Sequence, residues 1–393
     1  MRQEALVNPK LLIWARESIN MDIEEAARKI HVKSERLRDW ESGEKRPTIR
    51  QARDMARVYR RPLASLYLPE RPSGLGFSVP HDFRRLPEDQ PKDLSPALIA
   101  ELRRVEYLRD AAVELADEAA EEAAGFVGQT EINEPVQEVA KRVIELLGLP
   151  VGARQNWRND YDALNGWKNA IEQQGVLVMH LNRVEIREVR GIAIADRSFP
   201  LIALNGKDSP NGRVFTLLHE FIHLMIGATG MSNMQISKRA RSPEQKIERF
   251  CNYTAGEALV PRRELLVHAD VRKATKLTDW SDNVIERLAR HFGVSREVVV
   301  RRLLILGKTN EEFYRSKRQA YAKERRLRGE SSTGPIPMSR RIIRAIGQPF
   351  ARIALNAYYQ ETISGSELAE LLGARLKHLP AVEELLAGRN VLA

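Results

Sequence analysis

Residues 213–227 read RVFTLLHEFIHLMIG, and at their centre stands His219-Glu220-Phe221-Ile222-His223. On a helix, positions i and i+4 lie on one face about 6 Å apart, so two imidazoles at that spacing can share one tetrahedral ion. Glu220 stands beside them, placed to take a proton from water held by the metal. The flanks argue for burial: Val214, Phe215, Leu217, Leu218, Phe221, Ile222, Leu224, Met225 and Ile226 are apolar nearly all round the helix. Two histidines and a glutamate in such a helix are costly to bury with nothing to pair them. The stretch is therefore read as a buried helix carrying a metal-hydrolase motif.

A third protein ligand has to come from another element, leaving one coordination position for water. The next helix offers Glu244, Glu248 and Glu257. At about 100° per residue, Glu248 and Glu257 fall on opposite faces. Glu248 shares a face with Asn252 and Ala255, and Glu244 lies close to that face one turn earlier. Glu248 is the preferred ligand, with Glu244 and a plain surface glutamate left open by geometry. Cys251 follows Glu248 by three residues and is read as a buried inert thiol in preference to a metal neighbour.

TLLHEFIHLMIG followed by IERFCNYTAGEALVP (247–261) resembles the ImmA/IrrE metallo-endopeptidases, whose signature runs roughly FT-x-x-HE-x-x-H, then E-x-x-x-N-x-F-A-x-E-L-L-x-P. In that signature the first Glu of the second block is the third zinc ligand, here Glu248, and Glu257 and Pro261 match its structural end. The chain departs at Cys251, at Thr254 and at Gly256-Glu257-Ala258, none of them a proposed ligand. Upstream, GIAIADRSFPLIALN resembles the strand pair preceding the zinc helix, and His81-Asp82-Phe83-Arg84 resembles the family's linker. Downstream, LARHFGVSREVVVRRLLILGKT and LLGARLKHLPAVEELL fit long members with a fused N-terminal regulator. The resemblance covers most of the chain and is most specific at the zinc motif. It implies a zinc endopeptidase with Glu220 as catalytic base and His219, His223 and Glu248 on the metal; Mn²⁺ or Fe²⁺ also suits such a site. Relatives commonly cleave a helix-turn-helix repressor, relieving transcriptional repression in stress responses or on mobile elements, so the implied partner is a protein of that kind. An oxyanion donor is needed as well, and Tyr253, His180 and Arg197 are unranked candidates. Family architecture further suggests that FPLIALN binds an extended substrate by edge pairing along Leu201–Leu204.

Residues 8–68 read as five short helices. Asp22 to Gly43, DIEEAARKIHVKSERLRDWESG, has the rhythm of helix, turn, helix, with Ala26, Ala27, Ile30, Val32, Leu37 and Trp40 as apolar skeleton. Its WESGEKRP ending resembles the XRE (Cro/C1-type) helix-turn-helix. That resemblance implies a second helix offered to the DNA major groove, with Lys33, Ser34, Arg36 and Arg38 as the contact residues. Ile23, where a Gln often anchors phosphate, and the acids Glu35 and Asp39 count against DNA, so a dimerisation or partner-recognition module stays open. A second segment of the same rhythm, at 284–303, lies beside the peptidase in the family it resembles, where its apolar residues serve packing, with DNA contact as the alternative.

The Pro/Gly-rich run Arg71–Pro96 reads as a linker, followed by a long helix from about Ser95 to Gly125. VLVMHL, EIREVRGIAIA and FPLIALN alternate or are β-branched and predict an antiparallel sheet of about three strands. Beyond the motif helix the pattern is wholly helical, apart from GESSTGPIPM at 329–338. The fold class expected is mainly α with a small antiparallel β-sheet (α+β). The expected domains are 1–70 helix-turn-helix, 71–130 linker and long helix, 131–310 zinc peptidase, and 311–393 a basic helical C-terminal region.

The formal charge of +10 comes largely from thirteen Lys and Arg between Arg301 and Arg344, opposed there by Glu311, Glu312, Glu324 and Glu330. That segment is either a solvated helix face or a nucleic-acid surface. No apolar run is long enough for a membrane helix, the N-terminus is not a signal peptide, and a single cysteine suits a reducing cytoplasm. Three readings stand: a regulatory protease; a DNA-binding regulator whose zinc fold senses metal or ligand without cutting; and a toxin–antitoxin component.

Overall fold

The computed structural model describes residues 4–72, 81–82, 94–118, 129–196, 198–232, 242–273, 279–328 and 336–388, the side chains of 81, 82, 118, 232, 322 and 325–328 apart. The remainder of the Arg71–Pro96 linker, including Phe83 and Arg84, lies outside them, as do residues 119–125 of the expected long helix and 329–335. The chain divides into two compact units, 1–79 with 89–106, and 80–88 with 107–393. The division falls within the helix Pro96–Glu118.

In the first unit, helices α1 (Pro9–Glu17), α2 (Ile23–Ile30), α3 (Ser34–Ser42) and α4 (Ile49–Val58) are followed by a 3₁₀ turn, Leu63–Tyr67. Each boundary has a local cause. Asp22 caps α2, its carboxylate accepting from the Glu25 amide at 2.6 Å, and Thr48 and Gln51 form a capping box on α4. The glycine of WESG, Gly43, ends α3 at φ 83°, where a side chain is strained. Leu12, Ala15, Ala26, Ala27, Ile30, Leu37, Trp40 and Met55 are buried together, while Val32 is only half-buried. Glu41 of the same WESG run forms a bidentate pair with Arg16 of α1, at 2.8 and 3.0 Å.

The second unit is built round a five-stranded sheet: β1 (His81–Asp82), β2 (Leu177–Leu181), β3 (Gly191–Ile194), β4 (Leu201–Asn205) and β5 (Gly230–Ser232), in the order β1-β5-β3-β4-β2. The sheet is mixed, correcting the antiparallel expectation. β3 pairs antiparallel with β4 and β5, but β2 runs parallel to β4 and β1 parallel to β5. The connection 182–190 is too long for a tight hairpin, so the chain passes β4's position before entering β3. β2 and β4 are then buried on both faces, as parallel strands require. β5 also corrects the expectation that only helices follow the motif helix.

The motif helix, Pro210–Met225, starts on Ser209, whose hydroxyl accepts from the Gly212 amide, with Pro210 at the first turn. Every residue from Arg213 to Met225 is buried. The helix packs on β3 and β4, on the helix Asp160–Glu172 and on the helix Pro243–Leu259. Two buried arginines secure the C-terminal end of that last helix, whose final carbonyls have no partner of their own. Arg154 donates to the carbonyls of Leu259 and Ala258 at 2.8 and 2.9 Å, and Arg302 donates to that of Val260 at 2.9 Å while pairing with Glu257. No helix among the described residues is long and apolar enough to cross a membrane.

Candidate metal centre

His219 and His223 project from one face of the motif helix, and Glu248 reaches them from the helix Pro243–Leu259. The Nε2 atoms of the two histidines are 3.1 Å apart; Glu248 Oε1 lies 3.0 Å from His223 Nε2, and Oε2 lies 3.4 Å from His219 Nε2. Donors about 2.0–2.1 Å from a tetrahedral ion sit about 3.3 Å from one another, close to the spacing of the two imidazole nitrogens and to the contact each makes with one oxygen of the Glu248 carboxylate. The donor set, two imidazole nitrogens and a carboxylate, also suits a divalent transition metal. Glu244 does not join them. Among the described residues these three form the only group of three or more His, Cys, Asp or Glu side chains able to hold an ion.

The charge states agree with that use. Burial works to raise the Glu248 pKa, but the adjoining His219 and His223 overcome it and hold the carboxyl at about 2. Burial pushes His223 below its ordinary value, leaving the neutral imidazole a metal requires. His219, Glu220 and His223 are at most 1% exposed and Glu248 is 6% exposed, so all four are buried. Cys251 is fully buried, its thiol pushed well above its usual range by burial and then by Glu248 and Glu220.

Glu220 points to a feature that motif reading missed. A Cβ on Gly191, the first residue of β3, would lie 2.5 Å from Thr216 Cγ2 and 2.8 Å from Glu220 Cδ. The strand can cross beneath Glu220 only because that position has no side chain. A glycine opening an otherwise apolar strand was the available signal.

Of the oxyanion candidates, His180 on β2 is already engaged. Its Nδ1–H donates to the Arg344 carbonyl at 2.6 Å, and its Nε2 accepts from Arg213 at 3.1 Å. Burial, then Lys168, Arg213 and Arg344, drive its pKa well below the imidazole range. Arg197 lies outside the described residues. Tyr253 is half-buried, five residues beyond Glu248 on the same helix. The edge-pairing expectation for Leu201–Leu204 fails because β4 is an interior strand, hydrogen-bonded on both sides by β3 and β2.

Across α3 and its N-cap, Lys33, Arg36 and Arg38 are exposed and Ser34 is half-buried. Arg38 pairs with Glu24 at 2.7 Å, and Arg36 lies 5.7 Å from the Trp40 ring centroid. The second helix-turn-helix-like segment is different. No residue of its second helix, Arg296–Ile305, is fully exposed, and Val299, Val300, Arg302 and Leu303 belong to the core, so it is a packing element. Much of the basic segment is spent internally as well. Lys317 pairs with Asp282 at 2.8 Å, Arg315 with Glu311 and Arg318 with Glu297 at 3.6 Å each, and Arg344 donates to the Gly206 carbonyl. The side chains of Arg325, Arg326 and Arg328 lie outside the described residues.

Comparison with known families places a match on each unit. Residues 171–304 match the model described as the IrrE N-terminal-like domain (Peptidase_M78), spanning β2 to the helix Arg296–Ile305 and including all four metal-centre residues. Residues 12–66 match a helix-turn-helix model (HTH_3). No curated protein matches the chain. The chain thus carries, in one polypeptide, a segment that matches an XRE-type helix-turn-helix domain and one that matches the IrrE N-terminal-like domain.

Proposed function

We propose that this chain is a cytoplasmic zinc-dependent endopeptidase acting as a regulatory protease. Its substrate is a helix-turn-helix repressor or another partner protein, and its N-terminal domain binds DNA or a partner. The observation that carries the reading is the set of three donor spacings, 3.0, 3.1 and 3.4 Å, with Glu220 buried beside the two histidines. The boundaries 131–310 for the peptidase domain and 311–393 for an appended basic region belong to the same proposal.

His219, His223 and Glu248 would hold the ion, with Glu248 ionised and His223 neutral as their surroundings dictate. A divalent ion bound there supplies Lewis acidity toward the scissile carbonyl and lowers the pKa of its water to about 7. Glu220 accepts the proton of the attacking water and delivers it to the leaving amine. Gly191 leaves that carboxylate its room. Lys33 at the N-cap of α3, and Ser34, Arg36 and Arg38 within it, are the residues through which DNA would be contacted.

The test is to identify the product of the adjacent gene and assay its cleavage, using purified full-length protein with zinc, with chelator, and as Glu220→Gln. Cutting is expected only in the first sample. A regulatory readout in cells that survives Glu220→Gln, with metal and DNA binding intact, would replace this reading with that of a non-proteolytic regulator.

A further inference from the structure

Arg301 stands on the helix Arg296–Ile305 beside Arg302. Arg302 has carbonyl and carboxylate acceptors, as does Arg16 in the N-terminal unit, and Arg296 on the same helix has a carboxylate. Arg301 has none: among the described residues no hydrogen bond or ion pair reaches its guanidinium, which instead lies 5.5 Å from the centre of the Phe215 ring. Phe215 is one helical turn before His219, and the two rings stack with centroids 6.5 Å apart. Those two steps connect Arg301 to the metal centre. Burial draws its pKa below the guanidinium range; the groups facing it are Tyr314, Glu297, Arg318 and Tyr253. Glu297 pairs with Arg318, and Tyr253 belongs to the helix that supplies Glu248.

Arg301 is half-buried; its guanidinium carries five donors in a planar fork, and an aromatic face satisfies none of them directionally. The group that satisfies such a fork in full is a carboxylate, taken bidentately. We propose that Arg301 is a specificity-determining residue of the peptidase site, holding a carboxylate of the substrate, either an acidic side chain or a free C-terminus. This rests on the peptidase reading above and adds to it the chemistry of the substrate. Given extended peptide spacing of about 3.4 Å per residue, that carboxylate lies within about three residues of the scissile bond. Arg301 touches no reacting atom, so its effect is on which peptides bind rather than on the proton transfers of Glu220.

The test uses zinc-loaded full-length protein carrying Glu220→Gln, so that binding is read without turnover. The probes are fluorescent unstructured peptides carrying one Glu or one Gln at each position in turn, with free or amidated C-termini. At one or more positions the Glu peptide is expected to bind at least tenfold tighter than its Gln twin. A preference for the free over the amidated terminus would instead identify the C-terminus as the source. Adding Arg301→Gln should erase the preference without altering zinc content, and Arg301→Lys should retain part of it. Equal binding of all twins by the parent overturns the proposal even if no Arg301 variant folds. So does a preference that survives Arg301→Gln. If the parent with native Glu220 cleaves peptides but shows no carboxylate preference, Arg301 alone is misassigned. A carboxylate preference without any hydrolysis removes the peptidase reading instead.

Discussion

In the N-terminal unit Arg16 and Glu41 meet as a buried, bidentate pair, whereas at the metal centre His219, His223 and Glu248 bring three proton acceptors to within 3.4 Å of one another. The first arrangement is complete in itself: opposite charges, two parallel hydrogen bonds, and a further bond from Arg16 to the Met21 carbonyl. The second is not. A neutral imidazole offers one donor and one acceptor, so two ring nitrogens and a carboxylate facing a common point suit a cation far better than one another. Internal completion marks a structural device, and convergent acceptors mark a site that requires a ligand.

The largest expected break in that comparison is Glu220→Gln, which should lower hydrolysis by about 10²–10⁴-fold, the range for a general base, while leaving zinc content unchanged. Steady-state cleavage beside metal analysis checks both halves. On the structural side, Glu41→Ala should destabilise the N-terminal unit by about 3 kcal/mol, because it strands Arg16 without its carboxylate. Urea unfolding followed by hydrogen exchange should report the loss in 9–58 and leave zinc affinity unaffected. Gly191→Ala sharpens the boundary between the two kinds of site. It inserts a methyl against Thr216 and Glu220, should cost about 1–3 kcal/mol by overpacking, and should reduce cleavage more than zinc binding.

The smallest effect is the pH response of His180. Its folded pKa is depressed below the imidazole value of about 6.5, so below that pH the unfolded chain binds more protons than the folded one. Its contribution to stability is therefore full above about pH 6.5 and declines as pH falls, by up to about 1.4 kcal/mol per unit. Denaturant midpoints at pH 5 and 7.5 should differ less in His180→Asn than in the parent, and an unchanged slope would show that His180 is not the titrating group.

Much of the metal centre was legible because its information is local. Helical spacing puts His219 and His223 on one face, and a second helix period selects Glu248 over Glu257. Of the WESG run only Trp40 was legible as core; the Glu41 ion pair was not, because its partner Arg16 lies on another helix. Strand order was not, because alternation in VLVMHL or FPLIALN reports burial and says nothing about neighbours. The parallel β2–β4 pairing depends on the path of 182–190, and β5 has only three residues, too short for a periodic signal. The pairings within the basic segment were illegible for a related reason: the partners Asp282 and Glu297 lie on other helices and are invisible to a count along the chain. Gly191 and Arg301 act through space on the motif helix, from a strand and from a helix that sequence alone does not place beside it.

The central claim is tested most directly by X-ray absorption at the zinc edge on the full-length protein loaded with one equivalent of zinc, compared with His223→Ala. The account predicts one tightly held ion per chain in the parent, with nitrogen and oxygen scatterers at about 2.0–2.1 Å, no sulfur shell, and loss of that site in the variant. A sulfur scatterer, or a zinc site that survives His223→Ala, would contradict it.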